Sequence, residues 1–346
     1  VKLGNGVNYF SYTDEEFVEH AEITGKEYGY MMEYMSELGF SVKKQYLIAS
    51  DYFIDLIRAY YCVPVDIAML NDLADADILG LGRANTVTDF ADAVMNNKWT
   101  YDLLLKYCAK FGDASVSSDK KGFAIAEHSL SAAGLLYTSS VRFFTDERKD
   151  AGNSFVPDGE NSPYHYSESN QTFMDLAVAL EKMVTSAGVT RFGKEDKGGL
   201  NTNLLYIREQ FTNHRVLFGG VILLGSLEYQ DYQNMKTGDG EGFMVVPVPL
   251  YRDNSDDNYL TQIHVIGRPG AIGVNTTKFV ECTAFLNYQS THSTEILNDY
   301  YNYKLMYDIA GGAQGTVEML RYIRLNVRTS FDKAFEDAIG VFYGEE

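Results

Sequence analysis

The chain has 346 residues, 45% of them hydrophobic, and a formal net charge of −19. That length carries ample core for two lobes. The charge argues against nucleic acid or an anionic membrane surface as a partner, because both attract basic patches.

The opening, VKLGNGVNYF, lacks the charged-then-apolar pattern of a signal peptide, which suits a cytoplasmic protein or a mature, trimmed chain. Glu15 to Phe40 reads as helix, and KQYLIAS (Lys44 to Ser50) as a buried strand. A long apolar stretch, Tyr52 to Leu70, follows, and Pro64 is expected to break it. NDLADADILG (Asn71 to Gly80) holds three aspartates without the alternating ligand spacing or closing glutamate of a calcium loop, so it reads as a solvated acidic turn.

NNKWTYDLLLKYCAKFG (Asn96 to Gly112) contains the only tryptophan, Trp99. Thr100 is a good N-cap, Asp102 suits the first turn, and Tyr101, Leu104, Cys108 and Phe111 recur at helical spacing before Gly112. Trp99 then takes the N′ place and Leu104 the N4 place of a hydrophobic staple, a structural role rather than a ligand-gripping one. GFAIA (Gly122 to Ala126) is a short strand. Asn170 to Gly188 is a helix with Phe173, Leu176, Ala177, Leu180, Met183 and Val184 on one face.

His214 to Met235 reads as a strand, a Gly-Gly turn and a helix; within it VLFGGVILLG (Val216 to Gly225) is the longest apolar run, well short of the roughly 20 residues that span a bilayer. GFMVVPVPLY (Gly242 to Tyr251) is extended, and Pro247 and Pro249 suggest departure from a sheet edge or a crossing between lobes. Asp253 to Asn258 is a solvated loop, and a helical tail ends in Ser330 as cap with Phe331, Ala334, Phe335, Ala338 and Ile339 on one face.

Chemistry-bearing motifs are sparse. His20, His128, His165, His214, His264 and His292 are scattered without an HExxH, and Cys62, Cys108 and Cys282 form no CxxC, so no metal ligands or cofactor are assigned and the cysteines read as buried thiols. Ser226 lacks the GxSxG elbow, and GLGRAN (Gly80 to Asn85) lacks the third glycine of a dinucleotide fingerprint. Nothing in the pattern demands an enzyme.

The order of segments resembles the extracellular solute-binding proteins of ABC importers, the family that includes maltodextrin-binding and other sugar-binding lipoproteins, in its divergent Firmicutes branch. The stretches that carry the resemblance are KQYLIASDY with the strand after it, NKWTYDLLLKYCAKF, FTNHRVLFGGVILLGSLEYQDYQNM leading to GFMVVPVPLYRDNSDDNYLTQI, and AIGVNTTKFVECTAFLNYQSTHSTEILNDYYNYKLMYDI. The resemblance implies a two-lobe, type II periplasmic-binding-protein-like α/β fold. Lobe one, expected to be partial, would take residues 1–50 and 260–300; lobe two would take 51–259 and 301–346.

It also implies carbohydrate capture between the lobes, delivery to a membrane permease, a monomer, and a cell-surface position through an N-terminal lipid outside this chain. By position, Glu127 and His128 match a sugar-facing segment, and Gly219, Gly220 and Ile222 match the pocket turn, here without its usual tryptophan. Asp51, Tyr52 and Tyr60 lie near the first crossing. Two alternatives stand beside it: the same fold holding a non-sugar solute such as a peptide, and a secreted carbohydrate-active enzyme with paired carboxylates drawn from Asp51, Glu127 and Glu228.

Overall fold

A computed structural model describes residues 54–73, 76–112, 119–126, 134–136, 138–139, 144–146, 164–166, 171–192, 200–235, 242–253, 259–264, 275–278, 280–282, 284–285, 288, 299–300, 303–305 and 315–328. The predicted strand at Lys44 to Ser50, the helix at Glu15 to Phe40 and the last helix after Ser330 lie outside these residues.

The apolar stretch from Tyr52 divides into a short helix α1 (Ile54–Arg58), strand β1 (Tyr61–Asp66) and helix α2 (Ile67–Asn71). Pro64 does not break it. Val63 to Asp66 pair antiparallel with β8 (Phe243–Val246), with Pro64 opposite Val245. The ladder to β8 uses the odd residues of β1, as the bond from Ile67 N–H to the Gly242 carbonyl shows. Pro64 directs its hydrogen-bonding edge the other way, where its carbonyl accepts from Gly219 N–H at 3.0 Å. The missing proline donor therefore falls where the partner strand is already irregular, a position that sheets tolerate.

The sheet is mixed. Strands β5 (Val189–Phe192), β2 (Lys121–Ala126) and β6 (Val216–Phe218) are parallel, and β6 then pairs antiparallel with β1. Strand β7 (Ile222–Leu223) continues along the same edge of β1 as β6, with Cys62 opposite Ile222. Two minor sheets join β3 (Phe144–Asp146) to β4 (Tyr164–Tyr166), and β9 (Thr261–Gln262) to β10 (Val327–Arg328).

Side chains alternate across β2, and that alternation sorts the helices. Phe123 and Ile125 belong to a core cluster with helices α3 (Val87–Met95), α4 (Tyr101–Ala109) and α5 (Gln171–Thr185). Ala124 packs with Ile207 of helix α6 (Leu200–Thr212) on the opposite face. Within α5 the buried stripe runs through Leu176 and Met183, with Ala179, Leu180 and Val184 beside it, while Ala177 faces solvent. A second cluster joins Cys62, Phe211, Ile222, Phe243 and Val245 to Tyr232 of helix α7 (Gln230–Asn234). Helix α8 (Thr316–Leu325) gives Met319 to the first cluster and Leu320 and Ile323 to the second, closing the border beside β8. The result is an α/β protein with helices on both faces of a mixed sheet.

Trp99 is fully buried, and its surroundings explain why. Thr100 caps α4 by accepting from Leu103 N–H at 3.2 Å, as expected of an N-cap threonine. The indole lies 4.9 Å from the Phe218 ring and 5.3 Å from Phe90, the latter edge-on, so it joins sheet to helix. Its Nε1 donates to the Pro247 carbonyl at 3.0 Å, its backbone N–H to Tyr259 Oη at 3.0 Å, and its carbonyl accepts from Leu250 N–H at 2.9 Å. Pro247 thus begins an excursion after β8 that is clipped around Trp99.

Candidate functional site

In open α/β sheets, ligands favour the carboxyl ends of parallel strands, at a point where successive connections leave toward opposite faces. Here adjacent strands β2 and β5 meet that description. β2 is followed by α5 on one face and β5 by α6 on the other. Because β6 is antiparallel to β1, the carboxyl ends of β5, β2 and β6 share an edge with the amino end of β1. That edge is the candidate site.

The Gly-Gly segment is not the chain-reversing turn expected from the sequence. Pro64 stands opposite Gly219, yet Cys62 stands opposite Ile222, so two residues, Gly220 and Val221, face the single Val63. This is a β-bulge with glycine in the left-handed region, Gly220 φ 82°. Gly219 is required for a different reason: a Cβ there would lie 2.6 Å from the Phe211 ring and 3.0 Å from Pro64 Cγ. β6 and β7 are therefore one strand kinked at the rim, after which Leu224–Glu228 forms a single 3-10 turn before the short α7.

The other edge of β1 is interrupted as well. Val63 pairs with Val246, and Tyr60 then bridges Ile263, while His264 N–H donates to the Ala59 carbonyl at 2.9 Å. β8 and the segment carrying β9 so occupy one line along β1, separated by the excursion around Trp99. The expected lobe boundary near residue 260 falls inside a segment that lies against β1; residues 1–50 are outside the described set.

At the rim itself, Arg58 Nη2 sits 3.0 Å from Glu228 Oε2, and Tyr300 Oη donates to Glu228 Oε1 at 2.8 Å. Gln233 Nε2 donates to the Glu228 carbonyl at 2.8 Å, holding the 3-10 turn to α7. Gly225 is needed beneath this group, since a Cβ would approach Arg58 Cβ to 2.8 Å. The arginine is about half exposed and the glutamate mostly covered, so their attraction is screened and is worth roughly 0–1 kcal/mol. Its effect is positional: two planar polar groups and a phenol are fixed at the carboxyl edge of the sheet.

Of the residues singled out from the sequence, Tyr60, Gly219, Gly220 and Ile222 come together here. Tyr60 and Ile222 point into the second core cluster, being 1% and 5% exposed, so what they offer the rim is backbone. Asp51, Tyr52, Glu127 and His128 lie outside the described residues; Glu127 directly follows the end of β2 in sequence. Sequence reading missed Arg58, Tyr300 and Gln262, which carry no local motif and meet only through the fold.

Elsewhere the polar groups are structural. Asp77 accepts from Leu81 N–H and Gly82 N–H at 2.7 Å each, which pulls its carboxyl below the usual range despite some burial cost and makes the acidic turn a self-closed loop. Asp66, fully buried, caps α2 through Met69 N–H and lies 2.8 Å from His214 Nδ1. Burial raises its pKa, opposed by those two partners. This pair sits at the amino end of β6, away from the rim.

A groove of about 470 Å³ between α6 and α7 is lined by Arg208, Glu209, Thr212, Asn213 and Asp231. It follows the half of α6 that leads into β6, also away from the rim. Cys62 and Cys108 are buried free thiols, raised well above the ordinary thiol range by burial, and Cys282 is partly exposed. Among the described residues no three His, Cys, Asp or Glu side chains gather as a metal site, and no helix is long and apolar enough to cross a membrane. No protein-family model matches the chain, and no curated protein matches it.

Proposed function

We propose that this protein is the extracellular substrate-binding component of an ABC importer, which holds a carbohydrate between two lobes and passes it to a membrane permease without chemical change. The observation that carries the reading is the rim. Three parallel strands end beside the amino end of β1, where the bulge at Gly220 and the Arg58–Glu228–Tyr300 group meet. This edge combines a rigid backbone with planar polar side chains, the combination that orients a hydroxylated ligand. Glu228 has both carboxylate oxygens engaged, one by Arg58 and one by Tyr300. That commitment suits a positioning role better than proton transfer, and it favours a clamp over a glycosidase. In this reading the second lobe comes from the N-terminal part of the chain and residues between 265 and 298, closure is a hinge motion, and a lipid anchor holds the protein at the cell surface as a monomer.

The test is a thermal-shift screen of the full chain against glucose, maltose and maltotriose. A ligand that binds only the folded state adds about 2.7 kcal/mol of stability at a concentration one hundred times its Kd, so a saturable rise in Tm is expected. Glu228→Ala should abolish the rise. Release of reducing sugar from maltotriose would show an enzyme instead, and the absence of any shift would end the carbohydrate reading.

A further inference from the structure

Gln262 of β9 is completely buried, and neither its amide nitrogen nor its amide oxygen has a hydrogen-bond partner. Leaving such a group unpaired costs on the order of 1–3 kcal/mol, and native proteins seldom retain that loss without a use. The neighbouring Thr261 hydroxyl is also buried without a partner. The backbone of this segment, by contrast, is well satisfied: Thr261 N–H donates to the Asn326 carbonyl at 2.9 Å and His264 N–H to the Ala59 carbonyl at 2.9 Å. The deficit therefore belongs to side chains.

Its location matters. Ile263 packs against the second cluster with Tyr60, so alternation puts Gln262 on the opposite face together with His264. The His264 ring meets the Tyr61 ring edge-on at 6.0 Å. Tyr61 begins β1, at the carboxyl edge of the parallel strands. An unpaired amide thus shares a sheet face with the partly exposed His264 ring, above the buried Tyr61 ring, near the rim already described.

We propose that Gln262 is a ligand-binding residue, its amide pairing with adjacent hydroxyls of a neutral sugar while the partly exposed His264 ring borders the C–H surface. This rests on the carbohydrate-binding reading and adds a residue to it. The amide offers donors and an acceptor side by side and no charge, which matches vicinal hydroxyls and disfavours a carboxylate or phosphate. β9 is only two residues long. The next residues, Ile263 and His264, are only partly buried, so a small local displacement of this segment is enough to bring the amide to a ligand.

The experiment follows the Gln262 side-chain NH2 resonance in the full, 15N-labelled chain by sequential assignment, during titration with glucose, maltose and maltotriose, and with triglycine as a peptide control. The resonance is expected to move with saturation by a sugar. Gln262→Met is expected to bind that sugar at least about tenfold more weakly, with a sugar-free Tm no lower than the parent's. If a sugar binds, the resonance stays still and Gln262→Met binds as the parent does, this assignment is overturned and the clamp reading survives. A response to triglycine alone overturns the sugar commitment. Silence of the whole spectrum toward all three sugars overturns both.

Discussion

The excursion after β8 begins and ends in opposite conditions. At its start, Pro247 and Leu250 are locked to Trp99, whose indole N–H, backbone N–H and carbonyl are all bonded. At its end, Gln262 and Thr261 are just as buried, yet their side-chain polar atoms have no partners. Burial alone therefore does not distinguish scaffold from site. At these two ends the pairing of polar groups does: a completed network defines a unique packing, and an incomplete one leaves free energy that a partner recovers, although the Tyr107 and Thr316 hydroxyls are also buried unpaired within the scaffold.

The first way to break this comparison is at the scaffold end. Trp99→Ala removes a fully buried indole between Phe90 and Phe218 and is expected to lower stability by about 3–5 kcal/mol, read by urea unfolding. Trp99→Phe keeps most of the packing but strands the Pro247 carbonyl, and should cost about 1–3 kcal/mol. A Trp99→Phe protein as stable as the parent would show that the clip contributes nothing.

Gly220→Ala comes next. Its left-handed φ of 82° costs an L-residue about 1–2 kcal/mol, and the loss should appear in the same unfolding assay. A neutral result would mean that the bulge relaxes, and that the rim is less rigid than the kinked strand implies. Thr100→Ala, which loses the cap of α4, should cost about 1 kcal/mol.

The smallest effects lie in the pH dependence, where two aspartates oppose each other. Hydrogen bonds from Arg83 first, then from Thr86, hold the Asp89 carboxyl well below its ordinary 3.8. A depressed folded pKa contributes stability that is present above 3.8 and lost as the pH falls toward the folded value. Asp66 has the reverse sign, because burial raises it: its contribution is fullest below 3.8 and declines as the pH rises through the folded value. Asp89→Asn should flatten the acid limb of a stability-against-pH curve, and Asp66→Asn should gain stability at neutral pH relative to acid. Parallel curves for both variants would remove the distinction.

Much of the fold was legible locally. The Thr100 cap, the apolar face of α4, the strand at β2 and the helix from Gln171 all follow from spacing and capping, which act within a few residues. Helix α3 was missed, although Thr86 and Asp89 form a reciprocal capping box that a four-residue pattern search would have found. Pro64 was read as a break because propensity describes an isolated strand; its tolerance depends on which edge of β1 faces the bulge. The Gly-Gly pair was read as a turn for a similar reason. Two glycines permit a reversal or a bulge equally, and only pairing on both sides of Gly220 along one strand selects the bulge.

Sequence by itself determined the capped start of α4, the strand β2, the helix from Gln171 and the structural role of Trp99, since each rests on side-chain spacing and capping chemistry that a short segment contains. Tertiary structure alone decided that β1 is flanked by two interrupted strands, that Arg58, Glu228 and Tyr300 converge, and that Gln262 is buried without a partner. Those relations join residues far apart in the chain, 72 positions in the case of Tyr300 and Glu228. Pairing and desolvation are properties of the assembled sheet, and no local pattern encodes which polar group is left without a partner.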